Sequence, residues 1–330
     1  MKSFLSSLDS NTSNLHSIHN MTLFSIIIPH YNIPDLLIRC LKSIPISEDI
    51  QVIVVDDNSP DSDTYLERYP ELSRPYLEFI RTTKGGGAGY ARNVGLEHAK
   101  GKWLLFADAD DLYVENMYEI ILPHIDSKAD ILFFKEKSVL SDDINKTIKR
   151  VEHLNKLIDD YLRTGCDTYI RLRYCQPWAK MIRREFVESH LFRFEEVEYS
   201  NDNFFSFCIG YFANEIEIVN RVLYIYTFRE NSLAGTFCSK PGELRIRADV
   251  SFRVEKMFRH YKIRIEQQRP FKWYLYKMLH QDRALFRYYF FRLPEIYPSI
   301  PTAIQSLCSG KGIKFKIKLY LYSFWLWITK

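Results

Sequence analysis

Three short runs stand out along the chain because almost every position in them is apolar: residues 23–29 (LFSIIIP), 51–55 (QVIVV) and 102–107 (KWLLFA). A strand with one wet face alternates apolar and polar residues. A strand apolar on both faces belongs in the middle of a parallel sheet covered by helices. Between the runs the period changes. Apolar residues at 36, 37, 40, 41 and 44 give residues 35–43 a helical face, residues 88–99 read the same way, and residues 76–81 form a weaker strand. Strand and helix alternating at this spacing predict an α/β fold, a Rossmann-like, mostly parallel sheet flanked by helices.

The pattern loosens after residue 136. The charged stretch 135–149 reads as an exposed excursion. A second block opens at Gln176, with a helical pattern over 184–190, another over 204–212, and strands over 215–219 and 222–228. From Gly242 the chain reads as helical and basic. Residues 1–21 are polar and lack an apolar stretch, so a disordered tail is expected before a fold that begins near Met21. The predicted organisation is therefore a tail over 1–21, a ligand-binding half over 22–135, a second half over 136–235 and a basic helical region over 236–330.

Polar residues cluster where the apolar runs end. Pro29-His30-Tyr31-Asn32 follows the first, Asp56-Asp57-Asn58-Ser59 the second, and Asp108-Ala109-Asp110-Asp111 the third. Open α/β sheets bind ligands outside the carboxyl ends of their strands, so these clusters mark the expected site. Asp108 and Asp110 can turn two carboxylates toward one hard cation such as Mg²⁺ or Mn²⁺; the alternative is a solvated loop capping a helix that starts near Tyr113. At Asp56 and Asp57 the choice is between a nucleoside ligand and a turn closed by Asn58, Ser59 and Pro60. The segment 84–89 (KGGGAG) is not a dinucleotide fingerprint, because the third glycine falls on Tyr90 or Arg92, and no Walker sequence is present. It suits either a close approach to phosphate, with Arg92 and a helix start beside it, or a surface loop. Asp202, between Asn201 and Asn203, is a helix cap or a general base.

Composition changes the picture in two places. Six cysteines, at 40, 166, 175, 208, 238 and 308, include no Cys-x-x-Cys, which argues against structural zinc and suits reduced thiols in a cytoplasmic protein. The net charge of +4 conceals −10 over residues 1–220 and +14 over 221–330. A basic, aromatic end points to an anionic surface; nucleic acid has no motif behind it. No stretch reaches the ~18 apolar residues of a membrane span. Lys314, Lys316 and Lys318 followed by Phe324, Trp325 and Trp327 suit peripheral contact of residues 313–330 with the inner face of an anionic membrane, whereas the aromatics of 271–291 suit a helical core.

Taken in order, IIIPHYN (26–32), VIVVDDNSPD (52–61), GYARNVGLEHAKGKWLLFADADD (89–111), PWAKMIRRE (177–185) and SNDNFF (200–205) resemble the family 2 inverting glycosyltransferases over about residues 22–230. The resemblance implies a GT-A fold and transfer of a sugar from a nucleotide-sugar donor, with uridine diphosphate as carrier, to a glycan or lipid-linked acceptor. It implies that Pro29, Tyr31, Asp57 and Asp56 line the nucleoside pocket and that Lys84 and Arg92 lie near the donor. Asp108 and Asp110 would serve a divalent metal, Mn²⁺ or Mg²⁺, with Asp110 its direct ligand. Asp202 would be the base, and Trp178 and Lys180 acceptor-side residues. Asn201 departs from the family's usual Glu-Asp pair. The Gln-x-x-Arg-Trp motif of processive synthases is absent, which implies addition of one sugar or very few. The competing readings are a nucleotidyltransferase and a non-catalytic glycan-binding scaffold on the same fold.

Overall fold

All seven residues of the first strand, β1 (Phe24–His30), are buried, as expected of an apolar run with neighbours on both sides. A computed structural model describes residues 22–229, 242–263 and 270–308 and divides the chain into two compact units, residues 1–235 and 236–330. The expectations for residues 1–21 and 313–330 lie outside the described residues. In the first unit β1 is followed by α1 (Pro34–Lys42), which has proline in its first turn, where the missing N–H costs nothing. Then come β2 (Ile50–Asp56), α2 (Tyr65–Arg68), β3 (Leu77–Arg81), α3 (Gly87–His98) and β4 (Trp103–Phe106). β1 pairs in parallel with β2 and β4, and β2 with β3. Pro29 sits where β4 has already ended, at the pair Ile27 with Phe106, so the ladder loses no donor there.

The second half adds β5 (Leu112–Tyr113), α4 (Met117–Ile121), β6 (Ile131–Leu140), β7 (Thr147–Ile148), α5 (Glu152–Thr164), α6 (Thr168–Arg173), β8 (Lys180–Arg183), α7 (Arg184–Ser189), α8 (Asn201–Phe212) and β9 (Ile216–Phe228). Among the described residues one sheet runs β3-β2-β1-β4-β8-β6-β9-β5, with β7 on β6. Chain order reverses between β1 and β4, the switch point at which a crevice opens beyond the strand ends.

Three expectations change. Residues 135–140 are not an exposed excursion but the second half of β6, with Glu136 and Ser138 buried and Lys137 exposed. The strands expected over 215–219 and 222–228 are one strand, carried through residues 220 and 221 by irregular register against β6. No helix starts at Tyr113, which pairs with Tyr224 in β5.

In the second unit, α9 (Glu243–His260), α10 (Pro270–Gln281), α11 (Arg283–Arg292) and α12 (Ile300–Cys308) enclose a core that includes Phe252, Phe271, Leu275, Met278, Phe286 and Tyr289. Of the aromatics of 271–291, Phe271, Tyr274, Phe286, Tyr289 and Phe290 are buried in this core, with Phe252, Phe271 and Tyr289 meeting ring to ring, while Trp273, Tyr276 and Tyr288 are exposed. Asp282 caps α11 by accepting from the N–H of Leu285. Among the described residues no helix is long and apolar enough to cross a membrane.

Candidate active site

The turn from Asp108 to Asp111 leaves the end of β4 and is held from three sides. Asp111 is buried, accepting from the backbone N–H of Thr227 (2.6 Å) and the hydroxyl of Tyr224 (2.9 Å). The same hydroxyl accepts from the N–H of Asp108 (2.9 Å), so Tyr224 ties both ends of the turn. The Asp110 carbonyl accepts from Arg39 of α1 and from Thr227. The turn's backbone is thereby fixed while two carboxylates stay at the mouth of the crevice: Asp110 pairs with Arg229 (2.8 Å) and Asp108 with Arg92 (2.6 Å), with 21% and 29% of their side-chain surfaces exposed.

Arg92 is the joint between the two halves of the site. It is buried on α3, and its Nη2 donates to Asp108 while its Nη1 donates to Oδ1 of Asn201 (2.7 Å), the first residue of α8. Asp202 follows on the same helix turn. Burial pushes the Asp108 carboxyl up, the Arg92 guanidinium opposes this, and the charges of Asp110 and Asp202 push it further. The fold therefore brings Asp202 within electrostatic reach of Asp108, a proximity that spacing along the chain does not reveal. Close packing makes this possible: a Cβ on Gly89 would lie 2.1 Å from the carbonyl oxygen of Glu195, so only glycine lets α3 approach the segment leading into α8.

The wall beyond β1 and β2 is largely self-contained. Asp56 is fully buried, accepting from His30 Nδ1 (2.8 Å) and from the N–H and hydroxyl of Ser59. His30 Nε2 accepts from the N–H of Ile33, which fixes the proton on Nδ1. These bonds outweigh burial and hold the Asp56 carboxyl below the usual range. Asp57 accepts from the N–H groups of Gly86 and Gly87 (2.9 and 2.7 Å), closing the glycine loop against β2 and capping the start of α3. The helix start expected to face phosphate is thus occupied by a carboxylate of the chain itself. Pro29 is buried in β1, Tyr31 is 57% exposed at the crevice, and Lys84 is exposed with its ammonium 5.2 Å from the Tyr90 ring centre.

On the far side Trp178 stacks on Tyr224 and Tyr226, at 5.8 and 6.0 Å between ring centres. Its Nε1 donates to Glu136 (2.8 Å), whose other oxygen accepts from the Tyr174 hydroxyl. Lys180 does not face an open acceptor side. Its ammonium is buried and donates to the carbonyls of Tyr174 and Gln176, and burial lowers it to about 7 against the pull of Cys175, Asp202 and Glu136. Glu136, Tyr224 and Arg229 are site residues that sequence reasoning missed. The signal for Glu136 was present, since Glu136-x-Ser138 alternates with Lys135-x-Lys137 at the period of a strand.

Among the described residues no three His, Cys, Asp or Glu side chains converge to hold a metal unaided. The donor set fits a hard cation that keeps waters and takes the rest of its shell from a substrate diphosphate: two carboxylates on one braced turn, each with one oxygen on an arginine.

The profile of Glycosyl transferase family 2 matches residues 25–191. The putative glycosyltransferase EpsH of Bacillus subtilis is 26% identical over 227 residues, 66% of this chain but 64% of EpsH, so the match spans less than two thirds of that relative. The minor teichoic acid biosynthesis protein GgaB of the same organism is 31% identical over 161 residues, 45% of this chain and 18% of GgaB. Among solved structures, residues 1–349 of Staphylococcus aureus TarS in complex with UDP-GlcNAc superimpose with a TM-score of 0.59 at 19% identity, covering 84% of this chain and 82% of that one. The shared fold is the GT-A fold that the motifs imply, and with half of its length matched by the family profile the chain belongs to glycosyl transferase family 2.

Proposed function

We propose that the protein transfers a sugar from a uridine-diphosphate donor to an acceptor hydroxyl, with inversion at the anomeric carbon and with help from a divalent cation, in the assembly of a surface polysaccharide or a lipid-linked glycan. The observation that carries this reading is the Arg92 bridge, which joins the Asp108 end of β4 to the α8 turn bearing Asp202. One candidate metal carboxylate and one candidate base thereby flank the same crevice. Binding of UDP-GlcNAc by TarS and the teichoic acid role of GgaB support the substrate class.

The steps assigned to this chain combine that geometry with the residue roles that the family resemblance implies. Pro29, Tyr31 and Asp57 form the nucleoside side, with Asp56 bracing it through His30 and Ser59. Arg92 holds Asp108 in place, and Lys84 lies at the edge of the donor loop. Asp202 accepts the proton of the acceptor hydroxyl as its oxygen bonds to the anomeric carbon and the bond to the diphosphate breaks. Asp108 and Asp110 would hold Mn²⁺ or Mg²⁺, which would supply charge neutralisation for the departing diphosphate. Trp178 offers an aromatic edge on the acceptor side, and Lys180 supports the loop behind it. The reaction belongs at the cytoplasmic face of the membrane, with residues 313–330 as the peripheral contact.

The test is a panel of nucleoside diphosphates and nucleotide sugars, with and without Mn²⁺, read by thermal shift and by release of the diphosphate. UDP should stabilise the protein only with Mn²⁺, and Asp110→Ala should abolish that. Asp202→Asn should keep the stabilisation and lose turnover by about 10²–10⁴-fold. Full turnover in Asp202→Asn would remove it as the base. No metal-dependent stabilisation by any nucleotide would return the chain to the scaffold reading.

A further inference from the structure

Glu136 is a buried carboxylate with no role of its own assigned in the transfer, and burial raises it to about 7. Filling space this way is expensive compared with an apolar residue. What a carboxylate adds is direction, and this one is fixed at every atom. Its backbone N–H donates to Asn155 Oδ1 and its carbonyl accepts from Asn155 Nδ2. Its carboxylate oxygens accept from Tyr174 and from Trp178 Nε1, each at 2.8 Å.

The sheet aims this group. Register between β6 and β9 shifts around Lys135, and the shift sets Glu136 directly opposite Tyr224. Ala179, in the left-handed region at φ 53°, turns the chain into β8 just after Trp178. A non-glycine residue there carries strain that the surrounding bonds must offset. The indole lies nearly parallel to Tyr224, at 11° between planes, with its N–H on Glu136. Tyr224 in turn holds both the N–H of Asp108 and the carboxylate of Asp111.

We infer that Glu136 is a positioning residue for the Asp108–Asp111 turn, acting through the indole of Trp178 and the hydroxyl of Tyr224 to set how tightly that turn holds a divalent metal with a nucleoside diphosphate. With the indole anchored at its edge, the ring of Tyr224 has one orientation, and its hydroxyl can meet both ends of the turn at once. Without the anchor the stack can slide and the two bonds compete. The inference rests on the reading of Asp108 and Asp110 as the metal–diphosphate site.

The test is calorimetric titration of UDP with Mn²⁺ into wild type, E136L, E136Q, W178F, Y224F and the double variant E136L/Y224F, with thermal midpoints recorded for each. E136L should weaken binding about tenfold, the usual scale for partners that orient metal ligands. E136Q should recover to within about threefold, because its carbonyl can still accept from the indole. In the Y224F background E136L should weaken binding less than about twofold, because the linking hydroxyl is gone, while still lowering the midpoint as it does in wild type. A merely structural role would give affinity losses that multiply, or none. Binding by E136L within about twofold of wild type, or multiplied losses in the double variant, overturns the inference. Should E136L not fold, W178F decides: it keeps a stacking ring but not the N–H, and unchanged UDP affinity in it also overturns the inference. If wild type itself shows no Mn²⁺-dependent UDP binding, the donor reading fails and this inference with it; variants that match a binding wild type refute the inference alone.

Discussion

Lys180 and Glu136 shape the loop over residues 174–180 from opposite charges, and their protonation has consequences for stability. Burial lowers the Lys180 ammonium from 10.5 to about 7, although Cys175, Asp202 and Glu136 all favour its charged form. Between those values the unfolded chain holds a proton that the folded chain has released. Stability from this residue must then rise as pH goes up from about 7 towards 10.5, by at most about 1.4 kcal/mol per pH unit. Glu136 acts below that window. Its folded carboxyl, raised to about 7 from 4.5, holds a proton that the unfolded one has lost, so its contribution falls as pH rises from 4.5 to about 7. Denaturant unfolding at pH 7 and pH 10 should therefore show a gain in wild type that is missing in Lys180→Met, with the other titrating groups common to both proteins. Parallel pH dependence in the two would mean that the ammonium is not desolvated as its geometry implies. At the same scale, Arg92 is not a lone phosphate ligand but a two-armed brace. A lysine there has no planar fork with which to hold Asp108 and Asn201 together. Asn201 supplies a neutral acceptor to one arm of the guanidinium while the Asp108 carboxylate takes the other.

At the scale of elements, packing of α3 against the approach to α8 sets the distance between the two halves of the site. Gly89→Ala would drive a methyl into the carbonyl oxygen of Glu195, and because the obstacle is backbone, one element has to move. The expected cost is about 1–3 kcal/mol of stability, with turnover falling further than Mn²⁺–UDP affinity, since α8 carries Asp202 but not the Asp108 turn. A thermal midpoint and kcat equal to wild type would mean that the close approach is not what sets this geometry. Much of this arrangement can be read along the chain. β1, β2 and β4 declare themselves because both faces are apolar, and the polar residues beyond them mark the crevice. The rest depends on pairing. Residues 135–140 look like a loop because Lys135 and Lys137 point out, and nothing local says that Glu136 will find Trp178 some forty residues later. At Asp56 and Asp57 the sequence leaves a ligand and a turn both open, because the partners of their oxygens, His30 on β1 and the glycine loop, become neighbours only when the sheet forms. Asp110 offers two carboxylate oxygens in the sequence, but its counter-charge Arg229 lies just after β9 and meets it only through the pairing of β5 with β9.

For the whole molecule the uneven charge is the controlling quantity. The described helices of the second unit spend part of their charge internally, in pairs such as Arg247 with Glu243 and Lys256 with Glu295. Even so, residues 221–330 hold 21 Lys and Arg against 7 Asp and Glu. An anionic membrane attracts each nearby basic side chain by about 1 kcal/mol, and residues 1–220, at −10, oppose the same attraction. The net effect depends on salt, because the Debye length shrinks from roughly 10 Å at 0.1 M to 3 Å at 1 M. The full chain should therefore sediment with phosphatidylglycerol-containing vesicles at low salt, stay in solution with purely zwitterionic ones, and be released at about 0.5 M salt. If residues 313–330 make the contact, converting Lys314, Lys316 and Lys318 to glutamine lowers the balance of residues 221–330 from +14 to +11 and should weaken vesicle binding several-fold, with Mn²⁺–UDP affinity unchanged. Equal sedimentation of that variant would move the contact elsewhere in the basic region. No sedimentation of wild type with anionic vesicles at low salt would end the membrane reading and leave a soluble acceptor as the partner to seek.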